Sequence, residues 1–188
     1  MNKPFINQTV KMLRFLPSGY VIRQGLRADA ENLAALAIQV WLHTYATAGI
    51  TPTISRYVLS EFTPERFEAL LTNASATVLV GEANTNLIGY AVLNFGASCP
   101  ESRNSEAELA TLYVQEHFIG KGVGSALLES AEALAIQRTA NPLWLTVNAK
   151  NSHAIAFYVR RGYTSLGVTY FKLGNESHKN LVLIGRDG

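Results

Sequence analysis

The sequence Ile119-Gly-Lys-Gly-Val-Gly-Ser125 separates a short strand-like run, Leu109–Val114, from a long amphipathic segment. Glycine adopts φ > 0 without strain and allows a ligand to approach the backbone closely. The first turn of a helix adds unpaired N–H donors and the positive end of the helix dipole. A strand, a glycine turn and a helix start in this order predict a cradle for a phosphate or pyrophosphate.

The segment after this glycine loop predicts a helix from Gly122 to about Thr139. Its apolar residues recur at intervals of three and four, and its charged residues point elsewhere. The apolar set is Val123, Ala126, Leu127, Ala131, Leu134 and Ala135. At roughly 1.5 Å per residue such a helix is about 27 Å long, which makes it a rigid support for the loop.

Two common phosphate-binding motifs match the glycine loop poorly. A Walker loop needs Gly-x-x-x-x-Gly-Lys-Ser/Thr, but Lys121 stands between the first two glycines. A dinucleotide fingerprint needs Gly or Ala where Ser125 stands, and it normally lies in the first βα unit of a chain. A helix that begins with glycines only for close packing remains an alternative on this segment alone.

A second strand–helix unit follows in the sequence Trp144-Leu-Thr-Val-Asn-Ala-Lys-Asn-Ser-His-Ala-Ile-Ala-Phe-Tyr-Val-Arg-Arg-Gly-Tyr163. Asn151 or Ser152 can cap its helix, and Gly162 can end it. Together the two units resemble the Gcn5-related N-acetyltransferase superfamily. Its members carry an acetyl-CoA pyrophosphate loop, Arg/Gln-x-x-Gly-x-Gly/Ala, and a later helix with the pattern Asn-x-x-Ala-x-x-Phe-Tyr.

The resemblance implies a site for acetyl-CoA. The loop departs from the family at Ile119, where Arg or Gln is usual, but backbone N–H groups hold most of the pyrophosphate. Leu112, Tyr113 and Val114 match the bulged strand of the family, whose backbone pairs with the pantetheine arm, and Val114 is expected to orient the acetyl carbonyl. The implied cofactor-binding residues are Leu112, Tyr113, Val114, Ile119, Gly120, Lys121, Gly122, Val123, Gly124, Ser125, Asn148, Asn151 and Tyr158.

The resemblance also places Tyr158 near the cofactor sulfur, as the proton donor to the departing thiolate. A lysine-like amine has a pKa near 10.4, so exposing its lone pair at pH 7 costs about 4–5 kcal/mol. Glu108 is the preferred base, directly or through a water, because in a regular strand it shares a face with Leu112 and Val114. Alternatively, Glu108 binds the ammonium group or is a solvated strand charge.

The acceptor is expected to contact the first helix. Trp41, His43 and Tyr45 are predicted to line its pocket with Glu108, although a packed helix face accounts for the first three equally well. Glu61, Glu106 and Glu108 favour a cationic acceptor. The tail from Leu173 to Ile184 resembles the branch that contains bacterial spermidine/polyamine acetyltransferases. His117 is expected to be a surface or capping residue.

The remaining segments predict an α/β fold with a mixed sheet. Strands are predicted at Val21–Arg27, Ala76–Glu82, Leu87–Phe95, Glu106–Val114, Tyr163–Tyr170 and Asn180–Gly185, and helices begin at Asp29 and at Thr63-Pro64. The resemblance implies a central, mostly antiparallel sheet with helices on both faces. It also implies a splayed strand pair that holds CoA.

Composition limits the function classes. The chain has 188 residues, 48% of them hydrophobic, which predicts about one domain. With the resemblance, this implies one N-acetyltransferase domain over 20–188 after an N-terminal extension over 1–19. A net charge of +2 without basic blocks predicts no nucleic-acid binding, and no segment resembles a signal peptide or a membrane helix. Cys99 is the single cysteine, consistent with a reducing compartment, and is expected in a surface loop. A cytoplasmic protein without a metal site is therefore predicted.

Three hypotheses follow from the sequence. The first is an acetyl-CoA-dependent N-acetyltransferase that acts on a small cationic, polyamine or peptide amine. The second is a catalytically silent acyl-CoA sensor or partner-binding module on the same fold. The third is a nucleotide-binding domain of another kind, which would not bind CoA. A homodimer is allowed by the exposed strand edges and is common in the resembled family.

Overall fold

The computed structural model describes residues 14–15, 19–102 and 105–186. Within these residues, eight strands form one sheet in the order β1-β2-β3-β4-β5-β6-β8-β7. The strands are β1 (Arg14–Phe15), β2 (Val21–Gln24), β3 (Ala76–Ala83), β4 (Asn86–Phe95), β5 (Ala107–Val114), β6 (Leu143–Asn148), β7 (Thr164–Leu173) and β8 (Glu176–Ile184). Among these strands, only β5 and β6 pair in parallel. The predicted mixed, mostly antiparallel sheet is confirmed.

Five helices in the described part of the chain cover the two faces of the sheet. They are α1 (Ala30–Tyr45), α2 (Pro52–Glu61), α3 (Pro64–Thr72), α4 (Val123–Thr139) and α5 (Ser152–Arg160). One core lies under α4 and α5 and contains Leu127 and Tyr158. The other lies under α1 and α3 and contains Leu33 and Phe67. The sheet therefore presents an α4 face and an α1 face.

Local sequence signals set most helix ends. Thr63 caps α3 by accepting a hydrogen bond from Arg66 N at 3.3 Å, and Asn151 caps α5 by accepting one from Ala154 N at 3.0 Å. Helix α2 is not predicted by the sequence pattern. Thr51 caps it in the same way, and Pro52 stands at its first position. The Thr-Pro pair that identifies α3 is thus present before α2 as well.

A β-bulge in β5 corrects the predicted position of Glu108. Val92 pairs with Thr111, but the next residue, Leu93, pairs with Leu109, so Ala110 is an extra residue. Because a bulge reverses the alternation of side chains, residues on either side of it exchange faces. Leu109 packs in the α4-side core before the bulge, and Leu112 and Val114 pack there after it. Glu108 lies instead on the α1 face.

Two residues, Asp29 and Cys99, make side-chain contacts that the sequence pattern does not predict. Asp29 stands at the N-cap of α1 but makes no side-chain cap bond there. Its buried carboxylate accepts hydrogen bonds from Arg23 at 2.7 and 2.9 Å and from Leu26 N at 2.7 Å. Cys99, expected at the surface, is buried against Trp144 and Val182. Both residues form contacts that a local pattern in the sequence does not record.

The predicted N-terminal extension lies largely outside the described residues, since only 14–15 and 19 of it are placed. Residues 14–15 form β1 and pair with β2. Among the described helices, none combines the length and apolar character needed to cross a membrane.

Candidate functional site

A gap opens in the sheet between β5 and β6. The two strands pair only at Ala107 with Leu143 and at Glu108 with Trp144, although β5 continues to Val114 and β6 to Asn148. Beyond these pairs, the edge of β5 that faces β6 has backbone N–H and C=O groups that no strand pairs. Such an edge can pair with an extended, amide-containing ligand. The splayed strand pair that the resemblance implied is present and consists of β5 and β6.

The glycine loop lies where β5 ends and α4 begins. A 3-10 turn, Glu116–Phe118, leads into it, and Gly120 and Gly122 adopt φ of +78° and +87°. Gly122 is the N-cap of α4, whose first N–H groups have no acceptor within the helix. Val114 packs beside the loop, because a Cβ placed on Gly124 would lie 3.5 Å from Val114 Cγ2. The loop therefore presents backbone donors at the end of the gap.

Among the side chains of the loop, Val123 is fully buried in the α4-side core, and the others lie outside that core. Ile119 is 52% exposed, and Lys121 Nζ lies 5.3 Å from the centre of the Phe118 ring. Ser125 is half-buried in the first turn of α4. An exposed aliphatic side chain at position 119 is consistent with a loop that acts through backbone groups.

Two side chains of helix α1 contact the residues that lead into the glycine loop. Gln39 accepts a hydrogen bond from the Gln115 amide at 3.1 Å, and His43 Nδ1 lies 3.4 Å from Glu116 Oε2. These two α1 residues are one turn apart and share a helix face. His43 thus contacts the turn that precedes the loop, while Trp41, predicted beside it in the acceptor pocket, contacts α2.

Tyr158 lies on α5 with its ring packed in the α4-side core. Its side chain is 7% exposed and contacts the rings of Phe157 and Tyr163 at 5.2 and 5.5 Å. Burial raises the pKa of the Tyr158 hydroxyl, and nearby Tyr45 raises it further. Tyr45 belongs to α1, so the Tyr158 hydroxyl lies near residues of the opposite face. The phenol is protonated throughout the neutral range.

Asn148 and Asn151 build the turn between β6 and α5. Asn148 Oδ1 accepts a hydrogen bond from Lys150 N at 2.9 Å, and Asn151 Oδ1 caps α5. Burial raises the pKa of Tyr45, and a side-chain hydrogen bond with Asn151 opposes this rise. Both asparagines therefore have structural roles, and Asn151 also links α5 to α1 across the end of the gap.

Glu108 lies beside the gap, on its α1 side. It is half-buried, and its Oε2 accepts a hydrogen bond from Asn94 Nδ2 at 3.0 Å. Asn94 is the residue opposite Glu108 on β4, so the pair fixes the carboxylate above the sheet. The other acidic residues predicted near the acceptor do not join it: Glu61 pairs with Arg66, and Glu106 is exposed.

An aromatic group on the α1 face connects the gap to α2. Trp41 contacts Tyr45 and Tyr57, each with ring centres 5.0 Å apart, and Tyr57 contacts Phe171 of β7 at 5.9 Å. Burial raises the pKa of Tyr113, and Tyr45, Tyr57 and Tyr158 are close enough to add to this effect. Sequence reasoning misses Tyr57 and Phe171, because α2 is not predicted and β7 is predicted too short.

A cleft lies between α2 and the turn joining β7 to β8. Its volume is about 640 Å³, and its lining residues are Thr53, Arg56, Tyr57, Ser60, Lys172, Leu173, Gly174 and Asn175. This volume falls in the range of about 300–1,000 Å³ that is usual for small-molecule sites. Tyr57 belongs to both the cleft and the aromatic group, so the two adjoin. Among the described residues, no group of three His, Cys, Asp or Glu side chains could hold a metal ion.

The sequence matches a protein family over most of its length. The profile of the acetyltransferase (GNAT) family matches residues 40–163, which include the gap, the glycine loop and α5. An uncharacterized N-acetyltransferase of Mycobacterium tuberculosis is 29% identical over 156 residues, covering 83% of this chain and 96% of the relative. The streptothricin acetyltransferase of Streptomyces lavendulae is 31% identical over 94 residues, or 50% of this chain and 47% of that enzyme.

Solved structures share the fold. The PaiA N-acetyltransferase of Thermoplasma acidophilum, solved with coenzyme A, has a TM-score of 0.67 at 23% identity and covers 86% of this chain and 97% of its own. A Gcn5-related N-acetyltransferase of Rhodopseudomonas palustris has a TM-score of 0.68 at 23% identity, with 92% and 98% covered.

Proposed function

Because the chain belongs to the acetyltransferase (GNAT) family and is an acyltransferase, we propose that it transfers the acetyl group of acetyl-CoA directly to a primary amine. The observation that carries this proposal is the gap between β5 and β6, which ends at the glycine loop. An unpaired strand edge and a helix N-terminus at one end of it suit the two parts of CoA, an amide-containing arm and a pyrophosphate.

The residues along the gap fit this co-substrate. Backbone groups of Leu112, Tyr113 and Val114 would pair with the pantetheine arm, and the N–H groups from Gly120 to Ser125 would hold the pyrophosphate. Gly120 and Gly122 have the positive φ that such a convergent loop requires. When bound, acetyl-CoA supplies the activated acetyl thioester. The chain supplies position, proton transfer and exclusion of water.

Glu108 is proposed as the acceptor of the amine proton. It lies on the α1 face beside the gap, and the hydrogen bond from Asn94 leaves its other carboxylate oxygen for the substrate. Transfer requires a neutral amine, and deprotonating an amine of pKa near 10.4 at pH 7 costs about 4–5 kcal/mol. A carboxylate that takes this proton, directly or through a water, lowers that barrier.

Tyr158 is proposed as the donor that protonates the CoA sulfur. It approaches from the α4 side, whereas Glu108 approaches from the α1 side, so an acetyl group in the gap would lie between the two. A raised pKa keeps the phenol protonated but makes it a weaker acid. Its contribution therefore depends on a short hydrogen bond to the sulfur as negative charge develops there.

The acceptor is proposed to enter along the aromatic group on the α1 face. Trp41 and Tyr45 lie there with Tyr57, whereas His43 contacts the turn before the loop. A small-molecule amine, a polyamine or a peptide amine can each reach the gap by this route. A cytoplasmic location, the homodimer and the absence of nucleic-acid and membrane partners stay predictions.

The test is release of free CoA thiol from acetyl-CoA with a panel of amines, including spermidine, amino acids, aminoglycosides and basic peptides. Tyr158→Phe is expected to lower kcat about 100-fold or more, as is typical for loss of a general acid. Glu108→Gln is expected to lower kcat similarly and to steepen its rise with pH, because more of the amine must then lose its proton to water.

Two matched variants control for charge and ring chemistry. Glu106→Gln changes an exposed carboxylate two residues from Glu108, and Tyr170→Phe changes an exposed tyrosine of β7. Both are expected to retain wild-type turnover. CoA binding without turnover by any amine would contradict transfer and point to a silent acyl-CoA-binding protein. Absence of CoA binding would contradict the proposed site itself.

A further inference from the structure

The cleft between α2 and the β7–β8 turn carries two cationic side chains. Arg56 comes from α2 and Lys172 from the end of β7, and both are exposed. The described structure gives neither of them an ion-pair partner. The nearest acidic neighbours in sequence have partners of their own: Glu61 pairs with Arg66, and Glu176 lies 3.4 Å from His178.

The other polar groups of the cleft suit a ligand that accepts hydrogen bonds. Thr53 provides a hydroxyl in the first turn of α2, and Asn175 provides an amide. Among the described residues that line the cleft, none carries a carboxylate. Carboxylate and phosphate oxygens accept hydrogen bonds and bind guanidinium and ammonium groups through charge-assisted bonds. The lining therefore favours an oxyanion and disfavours a second ammonium group.

The cleft is placed to hold one end of an acceptor whose amine reaches the gap. Tyr57 lines the cleft and contacts Trp41, which contacts Tyr45 beside the gap. Each of these ring contacts spans 5.0 Å. A ligand bound at Arg56 can extend along these rings toward Glu108.

We propose that Arg56 and Lys172 bind an oxyanion of the acceptor, so that the substrate is a primary amine that also carries a carboxylate or a phosphate-like group. This inference rests on the proposed function, since it assigns the cleft to the acceptor of that reaction. It differs from the expectation of a cationic acceptor, which was based on Glu61, Glu106 and Glu108 and, for a polyamine, on the resemblance of the tail from Leu173 to Ile184.

The test uses linear primary amines that are long enough to reach along the two ring contacts of 5.0 Å each and that differ in their second group. 8-Aminooctanoate carries a carboxylate, 8-aminooctylphosphonate a phosphonate, 8-aminooctanamide a neutral amide and 1,8-diaminooctane an ammonium group. Thiol release from acetyl-CoA is expected to show kcat/KM at least about tenfold higher for one or both anions than for the amide, which corresponds to about 1.4 kcal/mol. The better anion identifies the source of the oxyanion.

Variants test the two side chains directly. Arg56→Gln and Lys172→Gln are each expected to raise KM for the anionic amine about tenfold with kcat nearly unchanged, because the contact is remote from the reacting atoms. Arg56→Lys is expected to restore part of the loss. Lys179→Gln changes an exposed lysine of the same hairpin outside the cleft lining and is expected to keep the wild-type KM.

The outcomes separate this inference from the proposed function. Acetylation that is faster with the amide or the diamine supports acetyl transfer and overturns the oxyanion site. The same conclusion follows if Arg56→Gln and Lys172→Gln both keep the wild-type KM for the anionic amine. If no amine is acetylated, titration calorimetry of 8-aminooctanoate and 8-aminooctylphosphonate with the CoA-bound protein tests the oxyanion site by itself. If the wild type binds an anionic amine and Arg56→Gln does not, the oxyanion site is retained and acetyl transfer is overturned. If the wild type binds neither anionic amine, both proposals are overturned.

Discussion

Gly122→Ala is predicted to damage both stability and CoA binding. Gly122 has φ of +87° and caps α4, and a Cβ there would lie 3.0 Å from the Tyr20 hydroxyl. An L-residue in this left-handed conformation costs about 1–2 kcal/mol. For a chain of 188 residues, that cost lowers the melting temperature by about 2–8 °C. If the loop relaxes instead, its N–H groups diverge and the Kd for CoA rises about tenfold or more.

Variants at two neighbouring glycines separate the cost of the backbone conformation from the cost of the Tyr20 contact. Gly120 has φ of +78° but nothing within 4 Å of a Cβ, so Gly120→Ala tests the backbone cost without the Tyr20 contact. Gly124 lies inside α4 without a positive φ, and its Cβ would make an ordinary contact with Val114. Gly124→Ala is expected to keep or raise the melting temperature, since alanine favours a helix over glycine by about 1 kcal/mol.

The assay combines thermal unfolding with titration calorimetry of CoA for all three variants. A Gly122→Ala protein with wild-type melting temperature and wild-type Kd would refute both the strain and the role of this loop in binding. Equal destabilisation by Gly120→Ala and Gly122→Ala would show that the Tyr20 contact adds nothing.

Two further predictions concern stability. Asp29→Asn is expected to lower the free energy of unfolding at pH 7 by about 2–3 kcal/mol, because a buried charge-assisted pair with Arg23 is lost. Although burial opposes it, hydrogen bonding to Arg23 and Leu26 N lowers the pKa of Asp29. The wild type therefore keeps its full stability advantage over Asp29→Asn above the ordinary pKa of about 3.9. It loses this advantage as the pH falls through the lowered pKa of Asp29. Urea midpoints of the two proteins that differ equally at pH 7 and pH 2 would contradict this. Asn151→Ala is expected to lower the free energy of unfolding by about 1 kcal/mol, because the α5 cap is lost. Urea unfolding measures this, with Ser152→Ala as the neutral control. An equal loss of stability in both variants would reject the cap assignment.

Much of the fold and part of the site could be predicted because their signals are local. The loop glycines, the Asn151 cap and the Gly162 stop act within a few residues of themselves, and the structure places each as expected. The periodicity of α4 likewise reports a helix face without any knowledge of its partner. The unpredicted α2 has a local signal too, but its serines and β-branched residues weaken the helical pattern.

The remaining features of the fold and the site depend on contacts between segments that are far apart in the chain. The pairing of β5 with β4 places the bulge at Ala110, and this one extra residue puts Glu108 on the face opposite Val114. The burial of Cys99 depends on Trp144, and the cleft depends on the approach of Arg56 to Lys172.

The sequence by itself determined the glycine loop and the two strand–helix units, because conformational preference and side-chain period are properties of neighbouring residues. The family followed from the resemblance of the motifs in these units. Only the tertiary structure decided which face Glu108 occupies and which charges line the cleft. Both depend on strand pairing and helix packing between segments that are far apart in the chain, where no local pattern records the register.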